Sequence, residues 1–176
     1  MSGLKEGENM DAAVIAAREK LKNVTPLKKD CGRVCGARCC RTLDGEETGM
    51  LLFPTEAEAY EGKEGWEIRK TPRGALILCP GRCEREDRPL ACRLFPLLPL
   101  RGEDGEIRAM TDQRARAVCP LARQGKSAMD PAFIDAVREA GELLAQSDEQ
   151  AAFLDMLAEE QKELKELRDQ FIIHNS

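Results

Sequence analysis

The cysteines are the residues of this chain best suited to chemistry, and half of them lie close together. The chain has 176 residues and eight cysteines, and residues 31–40 read C-G-R-V-C-G-A-R-C-C. Cysteine thiolates are soft ligands that bind zinc and iron–sulfur clusters. We therefore predict a thiolate metal site with eight candidate ligands: Cys31, Cys35, Cys39, Cys40, Cys79, Cys83, Cys92 and Cys119.

The redox compartment decides whether so many cysteines form disulfides or bind metal. The N-terminal residues include acids where a signal peptide has an apolar run, and no window has the roughly 20 apolar residues of a membrane span. We expect a cytoplasmic protein that does not enter the membrane. In that reducing compartment, metal ligation or redox chemistry is favoured over structural disulfides. A secreted disulfide framework is the alternative.

The spacing inside residues 31–40 allows two local structures. Cys31, Cys35 and Cys39 are four residues apart, so a helix would place them along one face. Gly32 and Gly36 weaken such a helix and would let the backbone wrap closely around an ion. Both structures bring the thiols towards one centre.

Cys39 and Cys40 are neighbours in the chain, and neighbouring side chains cannot easily reach one tetrahedral ion. One of them would be a ligand, and the other a ligand of a second site, a packing residue or a reactive thiol. Arg33, Arg38 and Arg41 surround the pair. Their positive charge is expected to lower thiol pKa values and to favour the thiolate that binds metal.

Arg88 and Arg93 flank Cys92 and are the candidate cofactor-binding residues. They could donate hydrogen bonds to a thiolate-bound cluster and offset its negative charge. The alternative is that they form ion pairs with the acids of residues 84–87.

Periodicity and turn residues predict an α+β fold, with small antiparallel β-hairpins and short helices around the cysteine-ligated metal centre. Residues 10–24 have apolar residues at helical spacing, and residues 66–79 and 97–110 have the pattern of two hairpins. Residues 130–172 predict a C-terminal helical hairpin that begins at Asp130. Two capping boxes are expected, Thr55 with Glu58 and Ser147 with Gln150.

The same patterns divide the chain into three parts. Residues 1–30 form an N-terminal helix, residues 31–126 a cysteine-cluster metal-binding domain, and residues 127–176 the C-terminal helical hairpin. The last part is acidic and could bind a protein partner. Five apolar residues form a seam along it that favours packing within the chain or weak dimerisation, so we expect a monomer or a weak dimer: Phe153, Leu157, Leu164, Leu167 and Phe171.

Nucleic-acid binding is not expected. The arginines of residues 73–126 could contact phosphate, but acids are interleaved with them. The chain has one Trp, one Tyr and five Phe, too few aromatic residues for a platform on which bases could stack.

The cysteine motifs resemble a known family. Residues 31–40 with their C-C pair, followed by R-P-L-A-C-R-L-F-P at residues 88–96, are similar to the cysteine-cluster family with the C-x2-C-x2-C-C signature. That family is described as zinc- or iron-chelating and is related to the cysteine domain of flagellin lysine methylase. The resemblance covers about residues 31–122, with x3 spacings where the signature has x2. The residues that match best are Cys39, Cys40, Cys79, Cys83 and Cys92.

Three functions follow as expectations. The first is a metal-binding protein with a thiolate-bound [4Fe–4S] cluster that serves electron transfer, sensing or structure, since such a cluster tolerates irregular cysteine spacing. The second is a structural zinc-binding interaction module, although the paired C-x2-C motifs typical of zinc are absent. The third, implied by the resemblance, is an iron–sulfur-dependent component of a protein lysine methyltransferase. Because the chain lacks a G-x-G-x-x-G loop, an enzyme is not the default expectation.

Overall fold

The computed structural model describes residues 9–40, 49–79, 81 and 83–174, with side chains as far as residue 171. It has the expected α+β fold. The helices are α1 (Ala12–Lys20), α2 (Cys31–Cys35), α3 (Leu90–Leu94), α4 (Ala115–Val118), α5 (Pro120–Gln124), α6 (Pro131–Leu144) and α7 (Asp148–His174). The strands are β1 (Met50–Leu51), β2 (Glu67–Thr71), β3 (Gly74–Leu78), β4 (Leu97–Arg101) and β5 (Ile107–Thr111). Short 3-10 turns lie at Arg38–Cys40, Ala57–Tyr60 and Lys126–Ala128.

The first sheet has the strand order β1-β3-β2 and is antiparallel throughout. Ile77 of β3 pairs with Ile68 of β2 on one side and with Met50 of β1 on the other. The hydroxyl of Thr71 donates to the carbonyl of Gly74 (2.9 Å) and closes the turn. The hairpin predicted at residues 66–79 is confirmed, and β3 leads directly into Cys79.

The second sheet is the antiparallel hairpin of β4 and β5, also predicted from the sequence. All of β4 except Arg101 is buried, because α6 and α7 both pack against this strand. The helix α6 also packs against β5 and against α1. The hairpin is therefore enclosed by helices and forms the centre of the scaffold.

The N-terminal helix α1 is held in place by its apolar face and its cap. Val14, Ala17 and Leu21 are buried, as their helical spacing indicated. The carboxylate of Asp11 accepts the N–H of Ala13 (2.7 Å), which caps the first turn. The helix predicted at residues 10–24 is confirmed with shorter bounds.

One hydrophobic core joins residues from each of the three parts expected from the sequence. It includes apolar side chains of α1, α3, β4, α6 and α7, and the rings of Phe53 and Phe153 lie 5.0 Å apart within it. The division into three parts stays a prediction. Among the described residues, no helix combines the length and the apolar composition needed to cross a membrane.

The first expected capping box is wrong, because its threonine has a more distant partner. The 3-10 turn begins after Glu56 without a side-chain cap, and the hydroxyl of Thr55 accepts the N–H of Asp11 (2.8 Å). At the second box, Ser147 donates to the carboxylate of Asp11 (2.6 Å) and Gln150 to the carbonyl of Pro54 (3.0 Å). Contacts with distant segments, at Asp11 and Pro54, thus override the local pattern.

The C-terminal pair of helices is present, but the expected seam is buried only in its first half. Phe153, Leu154 and Leu157 of α7 are in the core, and α7 packs against β4. Leu167 is 52% exposed and Phe171 is 70% exposed. The strand β4 therefore covers the buried half of α7, where the sequence pattern predicted a neighbouring helix.

Gly141 permits the close approach of α6 to the second hairpin. A Cβ atom built at this position would clash with Pro99 and would lie 2.7 Å from Cγ2 of Ile107. We expect Gly141→Ala to lower the free energy of unfolding by about 1–3 kcal/mol, although alanine is favoured over glycine by about 1 kcal/mol inside a helix.

Urea denaturation measures this change. The control is Asp135→Ala, on the exposed side of the same helix, which should change the free energy by less than about 0.5 kcal/mol. A Gly141→Ala protein more stable than the wild type would show that the helix and hairpin separate without cost.

Candidate metal centre

The short helix α2 positions the first two thiols. The carboxylate of Asp30 accepts the N–H of Gly32 (3.1 Å) and caps the helix, which carries Cys31 and Cys35 four residues apart on one face. Gly36 ends the helix in the left-handed conformation, with φ of 68°. Both structures considered for this segment are thus present in part, a helix and then a glycine turn.

Cys39 and Cys40 follow in a 3-10 turn. Their sulfur atoms lie 3.9 Å apart. The backbone of Gly81 lies against this turn, because a Cβ built on Gly81 would be 3.3 Å from the carbonyl oxygen of Cys40. Gly81, which lies between the next two cysteines in the chain, is therefore close to the first group.

The remaining thiols come from four positions in the fold. Cys79 follows β3, Cys83 follows it across a short loop, and Cys92 lies within α3. Cys119 has extended backbone (φ −104°, ψ 117°) before α5, as expected for a residue that precedes proline. The helix α4, which ends beside Cys119, packs against the turn at Arg38–Cys40.

These elements bring the sequence-predicted thiols together around one cavity of about 350 Å³. Apolar side chains such as Leu21, Trp66 and Phe95 also line it, together with Arg85, Arg88 and Arg93. The cysteines that line the cavity are Cys31, Cys35, Cys39, Cys40, Cys79, Cys83, Cys92 and Cys119. Segments more than 80 residues apart in the chain thus meet at one place.

The donor set fits a thiolate-bound metal in type and number. Within residues 9–40, 49–79, 81 and 83–174, however, no three Cys, His, Asp or Glu side chains are placed to hold a single ion. The thiols surround a space and do not converge on one point.

Burial is the main cause of a raised pKa at three of these thiols, Cys31, Cys83 and Cys92. It raises the pKa of Cys31 to about 11, with a further contribution from the charge of Cys35. Burial also raises the pKa of Cys92 well above its ordinary value. The hydrogen bond with Cys39 lowers the pKa of Cys40 to about 6, and the charge of Arg88 lowers it further.

The arginines inside residues 31–40 do not have the effect expected of them. The expectation that they lower thiol pKa values is wrong for Cys31, because burial outweighs nearby positive charge. At Cys40 the cation that contributes is Arg88, from a different segment. Arg33 and Arg38 are exposed, and Arg41 lies outside the described residues.

Arg88 acts on the thiols through its positive charge. This charge lowers the pKa of Cys83, although burial raises the pKa of that thiol overall. Burial alone would lower the pKa of Arg88, but the charge of Cys83 raises it. The side chain is therefore placed to stabilise a thiolate at Cys83 and, through its charge, at Cys40.

Arg93 has a different set of partners. It donates to the carbonyl oxygens of Arg88 (3.0 Å), Arg18 (3.0 Å) and Glu86 (2.8 Å). Burial, followed by repulsion from Arg18, lowers the pKa of Arg93 to about 10. These contacts hold the backbone around Cys92, and a role for Arg93 in binding the cofactor stays a prediction.

Sequence reasoning missed the buried carboxylate that positions α3. Glu56 is 0% exposed, and its Oε1 accepts from Arg18 (2.7 Å) and from the N–H of Leu90 (2.9 Å). Its Oε2 accepts the N–H of Phe53 (3.2 Å). The contact ties α1 to the start of α3, two residues before Cys92. Local periodicity carries no signal for an ion pair between residues 38 positions apart.

A second cavity, of about 870 Å³, is lined in part by some of the same thiols. Its walls include Phe53, Phe153 and Leu157, and Arg114 and Asp112 also line it. The thiols shared by the two cavities are Cys39, Cys40, Cys79 and Cys92.

No protein-family model, curated protein or solved structure matches this chain. The resemblance to the cysteine-cluster family therefore rests on the cysteine motifs alone and stays a prediction.

We expect Glu56→Gln to lower the free energy of unfolding by about 3–5 kcal/mol, because the buried guanidinium of Arg18 loses its charged partner. Urea denaturation of the metal-free protein gives the value. Glu58→Gln, at an exposed position of the same turn, is the matched control and should have a small effect. Equal midpoints for the two variants would mean that the buried pair does not hold α3 in place.

Arg88 and Arg93 should have separable roles. Arg88→Gln removes a positive charge that acts on Cys40 and Cys83, so we expect metal affinity to fall about 10- to 100-fold with a nearly unchanged urea midpoint. Arg93→Gln leaves carbonyl groups without their donor and should lower the free energy of unfolding by about 1–3 kcal/mol. Chelator competition and urea denaturation measure the two effects, and the reverse pattern would contradict the assignment.

Proposed function

We propose that this protein is a metal-binding cysteine-cluster protein that holds an iron–sulfur cluster of the [4Fe–4S] type through its thiolates. The observation that carries the proposal is the placement of the cysteines. Free cysteines that only pack are among the most buried residues of proteins. Here Cys39 is exposed, the other cysteines are half-buried, and all of them line one cavity. Such placement suits ligands better than packing residues.

The arrangement of the thiols favours a cluster over a single zinc ion. Zinc needs four ligands at one point, each with a Zn–S distance of about 2.3 Å. A cluster bonds its thiolates through different iron atoms, so its ligands surround a volume. The described thiols line a space of about 350 Å³, and no three of them are placed around one point. The irregular cysteine spacing supports the same choice.

Positive charge near the cavity also supports a negatively charged centre. Arg85, Arg88 and Arg93 line it. Arg93 is repelled by Arg18 and by Arg85, which adds to the effect of burial on its pKa. A centre bound by four thiolates carries net negative charge, so its presence would relieve this repulsion.

The residues of the chain would hold and tune the centre. Arg88 would stabilise the thiolates by its charge, while Leu21, Trp66 and Phe95 would limit the access of water. A bound cluster would supply one-electron redox capacity. The role we propose is accordingly electron transfer, redox sensing or stabilisation of the fold.

Metal content tests the proposal. Protein purified without oxygen and without chelator should contain iron and acid-labile sulfide in equal amounts, about four of each per bound cluster, with broad visible absorption. Removal of the metal should lower the urea midpoint, because the centre binds only the folded state.

Two outcomes would contradict the proposal. Colourless protein that contains zinc would overturn the choice of a cluster and retain a thiolate metal site. Protein without any bound metal, which also fails to take up iron and sulfide under reducing conditions, would overturn metal binding altogether.

A further inference from the structure

The second cavity changes in polarity from its inner wall to its mouth. Arg73 and Arg114 line it, and their side chains are 49% and 39% exposed. Buried apolar side chains line it too: Leu51, Phe53, Ile77, Leu97, Phe153 and Leu157. Because the exposed side chains are those nearest to solvent, the arginines lie at the mouth and the apolar groups lie inside. A ligand that fits this arrangement has an apolar body and a polar end.

The charge around the mouth indicates that the polar end is an anion. Arg38, which is also exposed, lines the cavity with Arg73 and Arg114, and Asp112 is the one acid among the described lining residues. The carboxylate of Asp112 is already paired with Arg114, with two N–O distances of 3.1 Å. Positive charge therefore exceeds negative charge among these side chains.

A carboxylate already lies between two of these arginines. Glu160 of α7 forms ion pairs with Arg73 and, at 3.5 Å, with Arg114. Arg73 comes from the turn between β2 and β3, and Arg114 directly precedes α4. Two separate segments thus present guanidinium groups to one carboxylate, the anion that the arginine fork suits. With Glu160 included, the arginines still outnumber the acids.

The size of the cavity suits a small organic molecule. Small-molecule sites enclose about 300–1,000 Å³ and have mainly apolar and aromatic walls with a few polar groups. The second cavity has such walls and a volume of about 870 Å³. Its apolar wall favours the removal of an alkyl chain or ring from water, while the arginines select for the anion.

We propose that the second cavity binds an apolar monocarboxylate, with the carboxylate at Arg73 and Arg114 and the apolar body against Phe53, Phe153 and Leu157. The inference goes beyond the proposed function, because binding here requires no metal. The second cavity shares four thiols with the first. A bound monocarboxylate therefore lies beside the thiols of the candidate metal centre.

Octanoate is the probe, and 1-octanol is its uncharged counterpart. Equilibrium dialysis of the full chain, purified without oxygen and without chelator, measures the binding of both. Fluorescence of Trp66 gives a second measurement, because this is the one tryptophan of the chain and it lines the cavity. We expect about one octanoate per chain and an affinity for octanol about 3- to 10-fold lower. Absence of saturable octanoate binding, or equal affinities for the two probes, would overturn the proposal.

Charge variants locate the carboxylate. Arg73→Gln should weaken octanoate binding about 3- to 10-fold and leave octanol binding unchanged. Lys70→Gln, an exposed position of the same hairpin outside the cavity, is the matched control and should bind like the wild type. Glu160→Gln should tighten octanoate binding, because it removes the competing carboxylate. Equal effects of Arg73→Gln and Lys70→Gln would show that the overall charge of the protein, and not this site, attracts the probe.

A filling variant tests whether the probe is in the cavity. Ala117 is exposed on α4 and lines the cavity, so Ala117→Phe should weaken binding of both probes at least about tenfold. Ala132→Phe, exposed on α6 and outside the cavity, is the control, and urea denaturation shows whether both variants are folded.

Wild-type octanoate affinity in folded Ala117→Phe would place the probe elsewhere and overturn the proposal. If this variant does not fold, the comparison of octanoate with octanol and the Arg73→Gln variant still decide. Metal content is measured on the same samples. Octanoate binding and metal binding can each fail alone, so failure of this inference is distinguishable from failure of the proposed function.

Discussion

The buried carboxylate of Glu56 is the group on which the thiol-bearing region depends. It accepts hydrogen bonds from Arg18 of α1, from the backbone N–H of Phe53 after β1, and from the backbone N–H of Leu90 at the start of α3. A buried charge without partners costs several kcal/mol, so these three segments are stabilised only when they come together. The helix α1 carries no cysteine, yet through this contact it positions the backbone that leads to Cys92.

The scaffold and the site use different kinds of interaction. The core is apolar and close-packed, with α6 and α7 against β4 and with Gly141 allowing close contact between helix and hairpin. The thiols lie outside that core, on short helices, turns and strand ends that line a cavity. Arg85 and Arg93 donate to backbone carbonyls and hold these irregular segments, while the charge of Arg88 acts on the thiols. Positively charged side chains therefore line the cavity and are held there by contacts that do not involve a metal.

The elements that sequence patterns predicted correctly are those formed by local interactions. Apolar spacing predicts α1, the cap at Asp130 predicts the start of α6, and turn residues predict both hairpins. The first capping box was wrong because the hydroxyl of Thr55 accepts from Asp11, a residue 44 positions away. The seam along α7 was only partly right because β4, rather than a neighbouring helix, covers its buried half. In both cases a distant segment competes with the local partner and forms the better contact.

The sequence by itself determined the chemistry available to this protein: eight thiols, arginines beside them, and the short elements from which they project. Tertiary structure decided that these thiols meet. Cys31 and Cys119 line the same cavity, although they lie far apart in the chain. The physical reason is that packing and buried ion pairs, such as Arg18 with Glu56, decide which distant segments of the chain meet. The spacing of residues along the chain does not indicate these contacts.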